Sequence, residues 1–337
     1  MHYVGCDQHK KYSFVVVKDQ NGLKLNQVKL YHADKENMKD YFKALPEGSK
    51  VALETCGFDH WLTDMLQELG LSVKLSHTAK TKAIAEERIK TDKISASVLA
   101  DLLRVDMLPE AYVPTKPIRD ARYLMRYRQN LIYLRTSIKN RIHSIIDNAG
   151  IQQSFTDLFG KQGRKFLRQL DLRQPYKSII ENYLSVIDDL TGRINKVDNQ
   201  LRQALKEDKQ VKLLTTIPGI GVITAHVILA ETGDINRFPN HHKFARYIGI
   251  VPSLHQSGQL LHSGHITKQG NKYLRTAFVE SAQTAIRRDP YLAVKFNKIK
   301  AKKGYGVAIV AIGHKLAKST YVVLKKQCEY QYRSLNG

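Results

Sequence analysis

The sequence predicts an α/β domain over residues 1–112, followed by α-helical structure. The helical part divides into a coiled-coil connector over 113–208 and a mostly helical domain over 209–337. Three observations carry this reading. Short apolar runs that end in acids alternate with amphipathic segments in the first third. An unbroken 3-4 hydrophobic repeat occupies the middle, and glycine-punctuated apolar runs fill the last third. At 337 residues with 42% hydrophobic residues, the chain can bury more than one core, since domains commonly run about 100–200 residues.

Val4 to Cys6 reads as a short strand ending at Asp7, and Tyr12 to Val17 as its hairpin partner across the polar turn Gln8-His9-Lys10-Lys11. A third strand near Leu25 to Tyr31, a helix at about 35–45 and a strand from Lys50 to Leu53 follow, the last ending at Glu54. A helix near 58–69, a strand from Leu71 to Leu75 and a helix from about Thr78 bring the chain to Lys90-Thr91-Asp92. Carboxylates at neighbouring strand ends can converge on Mg²⁺, which takes hard oxygen ligands and stabilises the oxygens of a phosphodiester displacement. Acids also end strands simply because loops are wet.

In the connector, Leu124, Tyr127, Leu131, Leu134 and Ile138 step along one helical face. Ile180, Tyr183, Ile187, Leu190, Ile194, Val197 and Leu201 form the cleaner seam. It suits either an intramolecular helical hairpin or self-association as a dimer or tetramer.

Charge points to the partner. The 54 Lys+Arg against 31 Asp+Glu leave a net charge of +23, which favours polyanions through released counterions. Arg119, Arg122, Arg126, Arg128 and Arg135 concentrate that charge and are candidate phosphate contacts, a solvated charged face being the other reading. The cysteines, Cys6, Cys56 and Cys328, form no CxxC pair, so neither a disulfide framework nor a thiolate zinc site is indicated. No signal peptide opens the sequence and no apolar run approaches the ~20 residues of a membrane span, so an intracellular, cytoplasmic protein with no membrane partner is expected.

In the last third, Ile217-Pro218-Gly219-Ile220-Gly221 precedes an apolar helical run and resembles a helix-hairpin-helix phosphate grip. Gly219 and Gly221 would let backbone N–H groups approach a phosphate at a helix N-terminus; a plain helix–helix turn is the alternative. Gln256-Ser257-Gly258 then lies in a basic loop with Lys268, Lys272 and Arg275 downstream. A serine alcohol needs deprotonation or an electrostatic partner to attack phosphorus, and the displaced phosphate needs cations. His255, His262 and His265 are candidate bases, and Ser253 and Ser263 rival nucleophiles.

The order Asp7, Glu54, Asp92 resembles the RuvC/RNase-H-like domain of the insertion-sequence-110 family of transposases, which includes the Piv-type DNA invertases. Tyr247 to Ser253, Gln256-Ser257-Gly258 and Gly264 to Arg275 resemble the C-terminal domain of the same family. The resemblance implies a DNA recombinase acting on donor and target DNA, with Asp7, Glu54 and Asp92 on Mg²⁺ and Ser257 as nucleophile. It also implies an element-encoded bridge RNA that pairs with the DNA, a tetramer in which the carboxylates of one protomer meet the serine of another, and a prokaryotic, nucleoid-associated setting. One position departs from the family's Lys-Thr-Asp-x-x-Asp-Ala pattern: Ser95 stands where the fourth acid belongs. Asp101 is a poor substitute, because nine residues from Asp92 place it on another helical face. Ser95 leaves open a weakened, nucleic-acid-binding derivative, and the acidic domain alone would suit a metal-dependent junction nuclease.

Overall fold

The computed structural model describes residues 1–337 except 56, 58–59, 85–90, 205–207, 258–259 and 334–337; for 204, 254–257 and 260–263 only the backbone is described. Two compact units, Met1–Pro114 and Thr115–Gly337, make up the chain.

The first unit runs β1 (Tyr3–Gln8), β2 (Tyr12–Lys18), β3 (Lys24–Tyr31), α1 (Lys35–Lys43), β4 (Lys50–Glu54), α2 (His60–Glu68), β5 (Ser72–Ser76), α3 (Thr78–Ile84), α4 (Asp92–Arg104) and β6 (Glu110–Ala111). Among the described residues these strands form one mixed sheet in the order β3-β2-β1-β4-β5-β6. β1 pairs antiparallel with β2 and parallel with β4, with Cys6 opposite Leu53. The two-residue period of a strand then sorts the faces. Val4, Cys6, Val51 and Leu53 join Met38, Phe42, Leu62 and Leu66 in one core. Ala52 faces the other way, against Leu99, Leu102 and Leu103 of α4. Asp7 and Glu54, one step beyond the paired Cys6 and Leu53, share that second face at the strand ends.

α4 lies on β1 at backbone distance. A Cβ built on Gly5 would stand 1.8 Å from the Ala96 carbonyl oxygen and 2.6 Å from the Ala100 nitrogen, so only glycine fits. Ala96 and Ala100, both buried, keep the helix side of the contact equally small.

The second unit continues with α5 (Lys116–Asn148), α6 (Lys161–Gln169), α7 (Tyr176–Ala204), α8 (Lys209–Thr215), α9 (Val222–Thr232), a 3-10 turn at Ile235–Arg237, α10 (His241–Ile248), β7 (Pro252–Ser257), β8 (Leu260–Ile266), α11 (Lys272–Arg288) and α12 (Pro290–Lys326). The α7 seam is buried within the chain, with Leu190 and Ile194 against Leu131, and Val197 and Leu201 against Met125 of α5. The α5 face follows the expectation in part: Leu131 is buried and Leu124 and Ile138 pack partly buried against the core, whereas Tyr127 and Leu134 are exposed and Met125, Ile142 and Ile146 are buried in addition. α7 packs on Met125 and Leu131, and a count of apolar spacing along one helix does not register which of its residues meet a second helix.

By length and composition α12 could cross a membrane, contrary to the absence of such a run expected above. It kinks at Gly304, and 56% of its apolar stretch is buried in the chain's own core. Leu316, Ala317 and Leu324 pack there with Phe244, Phe278 and Ile312.

At the turn between α8 and α9, Gly219 has φ +86°, and a Cβ there would lie 2.2 Å from the Ser281 carbonyl oxygen. Gly221 has nothing within 4 Å and an ordinary φ of −92°. Gly219→Ala is therefore expected to lose at least about 2 kcal/mol in urea denaturation, through left-handed strain and overpacking. Gly221→Ala should stay within about 1 kcal/mol of the parent.

Candidate metal centre and nucleic-acid interface

The end of β1, the turn after it and the N-terminus of α4 build a cleft of about 400 Å³ lined by Asp7, Gln8, His9, Glu54, Thr55, Thr91, Asp92 and Ser95. Asp92 occupies the first turn of α4, where the helix dipole favours a negative charge; Thr91 caps the helix, its Oγ1 accepting from the Ile94 N–H at 3.3 Å. Tyr12 Oη donates to Asp92 Oδ2 at 2.8 Å, and this bond to a carboxylate, with burial second, raises the phenol's pKa.

Single ligand atoms of Asp7, His9 and Asp92 lie within 4.8 Å of one another. His9 Nε2 is 3.1 Å from Asp92 Oδ1 and 3.6 Å from Asp7 Oδ2. It is shielded from solvent and makes no hydrogen bond among the described residues. Two carboxylates and a ring nitrogen this close, the nitrogen without a hydrogen bond to either, fit a divalent cation. Glu54 lines the cleft without joining this tight group, as does Ser95. Asp101 is paired elsewhere, with Lys18 of β2 and at 3.8 Å with Arg104. His9 and Tyr12 were not singled out from the sequence. The usable signal was Asp7-Gln8-His9, because alternate residues of an extended segment share a face.

Among the connector arginines, Arg122, Arg126, Arg128 and Arg135 bond to groups of the second unit. Arg119 is buried. Arg122 donates to the carbonyls of Ala230 at 2.8 Å and Glu231 at 3.1 Å. Arg126 makes a bidentate pair with the Glu231 carboxylate at 2.8 and 2.9 Å. Arg128 forks onto Asp198, its second bond 3.0 Å long, and Arg135 donates to Thr191 at 3.2 Å. Glu231 is fully buried and also accepts from Asn271 at 2.6 Å, tying α5, α9 and the start of α11 together. This hub was missed because Arg126 and Glu231 are 105 positions apart.

β7 and β8 form a two-stranded hairpin, in which Ser257 is the last residue of β7 and pairs with Leu260. The side chains of Ser257, His255, His262 and Ser263 lie outside the described residues, as does Gly258. Ser253 is described, and its hydroxyl donates to the His265 carbonyl at 3.0 Å. At the base of the hairpin Arg275 Nη1 donates to the Ile248 and Lys268 carbonyls at 3.1 and 3.2 Å. Lys268, at φ +52°, and Lys272, at the start of α11, are exposed. Gly221 caps the N-terminus of α9 with open space around it.

A mixed sheet carrying an acidic cleft, followed in sequence by a helical unit with exposed Lys268 and Lys272 beyond a two-stranded hairpin, is the frame that comparison with known proteins identifies as a DEDD-type transposase, an enzyme that cuts and rejoins DNA. Residues 4–151 match the DEDD-type IS110 transposase domain, and residues 211–297 match the domain of the transposase IS116/IS110/IS902 family. The chain belongs to this family. It is similar to a "Probable family 20 transposase" of Pseudomonas aeruginosa, 25% identical over 87% of this chain and 89% of the relative. The transposase for insertion sequence element IS1111A of Coxiella burnetii is 23% identical over 83% and 79%. The pilin gene-inverting protein of Moraxella bovis is 31% identical over 51% and 58%. A DEDD-type domain implies a divalent metal, and the donor set of Asp7, His9 and Asp92 fits one.

Removing Arg126 would leave the buried Glu231 carboxylate with Asn271 at 2.6 Å as a hydrogen-bond donor and Arg122, 3.9 Å away, as its remaining counter-charge. Arg126→Ala is expected to cost about 3 kcal/mol in chemical denaturation, the low end for breaking a buried pair.

Proposed function

We propose that this transposase cuts and rejoins DNA through a covalent phosphoserine at Ser257, aided by Mg²⁺ held by Asp7, Glu54 and Asp92 in a RuvC/RNase-H-like domain spanning residues 1–112. The observation that carries this reading is the convergence of Asp7 and Asp92 in one cleft within a DEDD-type domain. The antiparallel β3-β2-β1 ribbon continued by parallel β4 and β5, with α4 on one face, supports the fold assignment.

Bound there, Mg²⁺ would supply electrostatic stabilisation to the oxygens of the reacting phosphodiester. The residues divide the remaining work. Asp7, the most buried of these three acids, and Glu54 line the cleft, while Tyr12 fixes the orientation of Asp92. Ser257 Oγ gives up its proton and forms the new O–P bond as the P–O bond to the departing DNA oxygen breaks, and that oxygen takes a proton. Reversal with a different DNA end rejoins the strand. One phosphoester replaces another throughout, so ATP is not needed.

Nucleic-acid contact is assigned to exposed Lys268 and Lys272, to Arg275 through the loop it ties, and to the α8–α9 turn at Gly219 and Gly221 in a helix-hairpin-helix role. Arg119, Arg122, Arg126, Arg128 and Arg135 of the 113–208 coiled-coil connector would support that surface by clamping the helices. The 209–337 region carries the serine. Assembly as a dimer or tetramer in the prokaryotic cytoplasm, on nucleoid DNA, with a bridge RNA guiding donor and target choice, completes the proposal. A net charge of +23 suits a protein that grips backbone and leaves sequence to base pairing.

The test is strand exchange between plasmids carrying the element's ends and a target, with the protein co-expressed with its flanking DNA. The parent should yield joined products and a denaturant-resistant protein–DNA adduct. Ser257→Ala should abolish both, and Asp7→Asn should reduce joining by about 10³-fold or more. Full DNA cleavage by Ser257→Ala would instead establish a metal-dependent junction nuclease. Ser95 favours a second reading, a catalytically weakened nucleic-acid-binding derivative; a large gain of joining in Ser95→Asp would support it.

A further inference from the structure

We propose that His9 performs the ligand role that Ser95 cannot, so that this chain holds its metal with a nitrogen-containing set and prefers Mn²⁺ to Mg²⁺. The inference rests on the metal reading above and deepens it.

Ser95 lines the cleft one turn from Asp92 but offers only a neutral hydroxyl, where a carboxylate would add charge and two oxygens. The imidazole lines the same cleft from the turn after β1. Ligands about 2.1 Å from an octahedral centre lie about 3 Å apart when adjacent and about 4.2 Å apart when opposite. His9 Nε2 falls in that range from both acids, 3.1 Å from Asp92 Oδ1 and 3.6 Å from Asp7 Oδ2. An ion pair alone would turn an N–H toward one carboxylate. Instead Nε2 is out of contact with solvent and lacks hydrogen-bond geometry to either.

The surroundings hold the ring for this task. His9 stacks on Tyr12 with centroids 4.8 Å apart, and its backbone N–H bonds to the Tyr12 carbonyl at 2.9 Å. The Tyr12 hydroxyl takes Asp92 Oδ2, which leaves Oδ1 toward His9. Lys29 Nζ sits 3.8 Å above the Tyr12 ring and steadies it from behind. A hydrogen-bonded group behind a ligating carboxylate commonly fixes its orientation in metal sites. Mg²⁺ strongly favours oxygen donors; Mn²⁺ shares its preference for carboxylates but, as a transition metal, also accepts an imidazole, so exchanging a carboxylate for His9 moves the selectivity from Mg²⁺ toward Mn²⁺.

The test uses full-length protein, with Mn²⁺ as probe and Mg²⁺ as competitor, read by calorimetry and by pulsed electron paramagnetic resonance. The parent should bind Mn²⁺ more tightly than Mg²⁺ and show nitrogen coupling to the bound ion. His9→Ala, checked for folding by its circular dichroism and melting curve, should lose that coupling and weaken Mn²⁺ binding by at least about 10-fold. Adding Ser95→Asp to His9→Ala should restore affinity but with the preference moved toward Mg²⁺. If Asp92→Asn abolishes binding while the parent lacks nitrogen coupling and His9→Ala binds unchanged, the role of His9 is overturned and the carboxylate site stands. If the parent binds neither ion at millimolar concentration, the carboxylate site fails and the role of His9 falls with it.

Discussion

The contact between Gly5 and the backbone of α4 is the constraint on which the acidic cleft depends. With no Cβ at position 5 and alanines at 96 and 100, helix and strand meet at a separation that any larger side chain would open. At that separation the first turn of α4 reaches the ends of β1 and β4, so a residue 85 positions away in sequence meets Asp7. Burial on both faces of the sheet makes the arrangement rigid, because Val4 and Cys6 are locked into the core opposite. Like charges brought so close repel. A cation, or a donor such as Tyr12, is what makes their approach tolerable.

The helical unit answers a different problem, holding a strongly basic chain together. Arg122, Arg126 and Arg128 are absorbed by Glu231, Asp198 and helix-terminal carbonyls, so part of the positive charge works inside the fold. A buried carboxylate with a bidentate guanidinium and an amide donor contributes geometry more than net stability, since its desolvation offsets much of the attraction. That geometry fixes the start of α11, where Asn271 caps the helix and also bonds Glu231, beside exposed Lys272. Internal clamp and exposed basic loop thus meet at adjacent residues.

Much of this was legible in the sequence. Short β-rich runs ending in acids placed Asp7 and Glu54 at strand ends, because strand pairing needs only the local two-residue period. The 3-4 repeat of Ile180 to Leu201 read correctly as a seam, and its partner proved to be α5 of the same chain. Residues whose role depends on distant partners were hidden. His9 reads as one more polar turn residue until α4 brings Asp92 beside it. Glu231 reads as a helix-end acid until Arg126 reaches it. The α5 face was placed only in part for a related reason: Leu131 is buried as expected, but Tyr127 and Leu134 complete the apolar stripe only on paper, and α7 packs on Met125 as well.

The central claim is that the close approach of α4 to β1 makes a metal centre of the cleft. Diffraction from crystals of the full-length protein soaked in Mn²⁺, collected at a wavelength that gives manganese anomalous signal, tests it most directly. The account predicts an anomalous peak within bonding distance of Asp7 and Asp92 at the mouth of β1. Ordered Asp7 and Asp92 side chains with no peak between them at saturating Mn²⁺, or a peak held only by other residues, would contradict it.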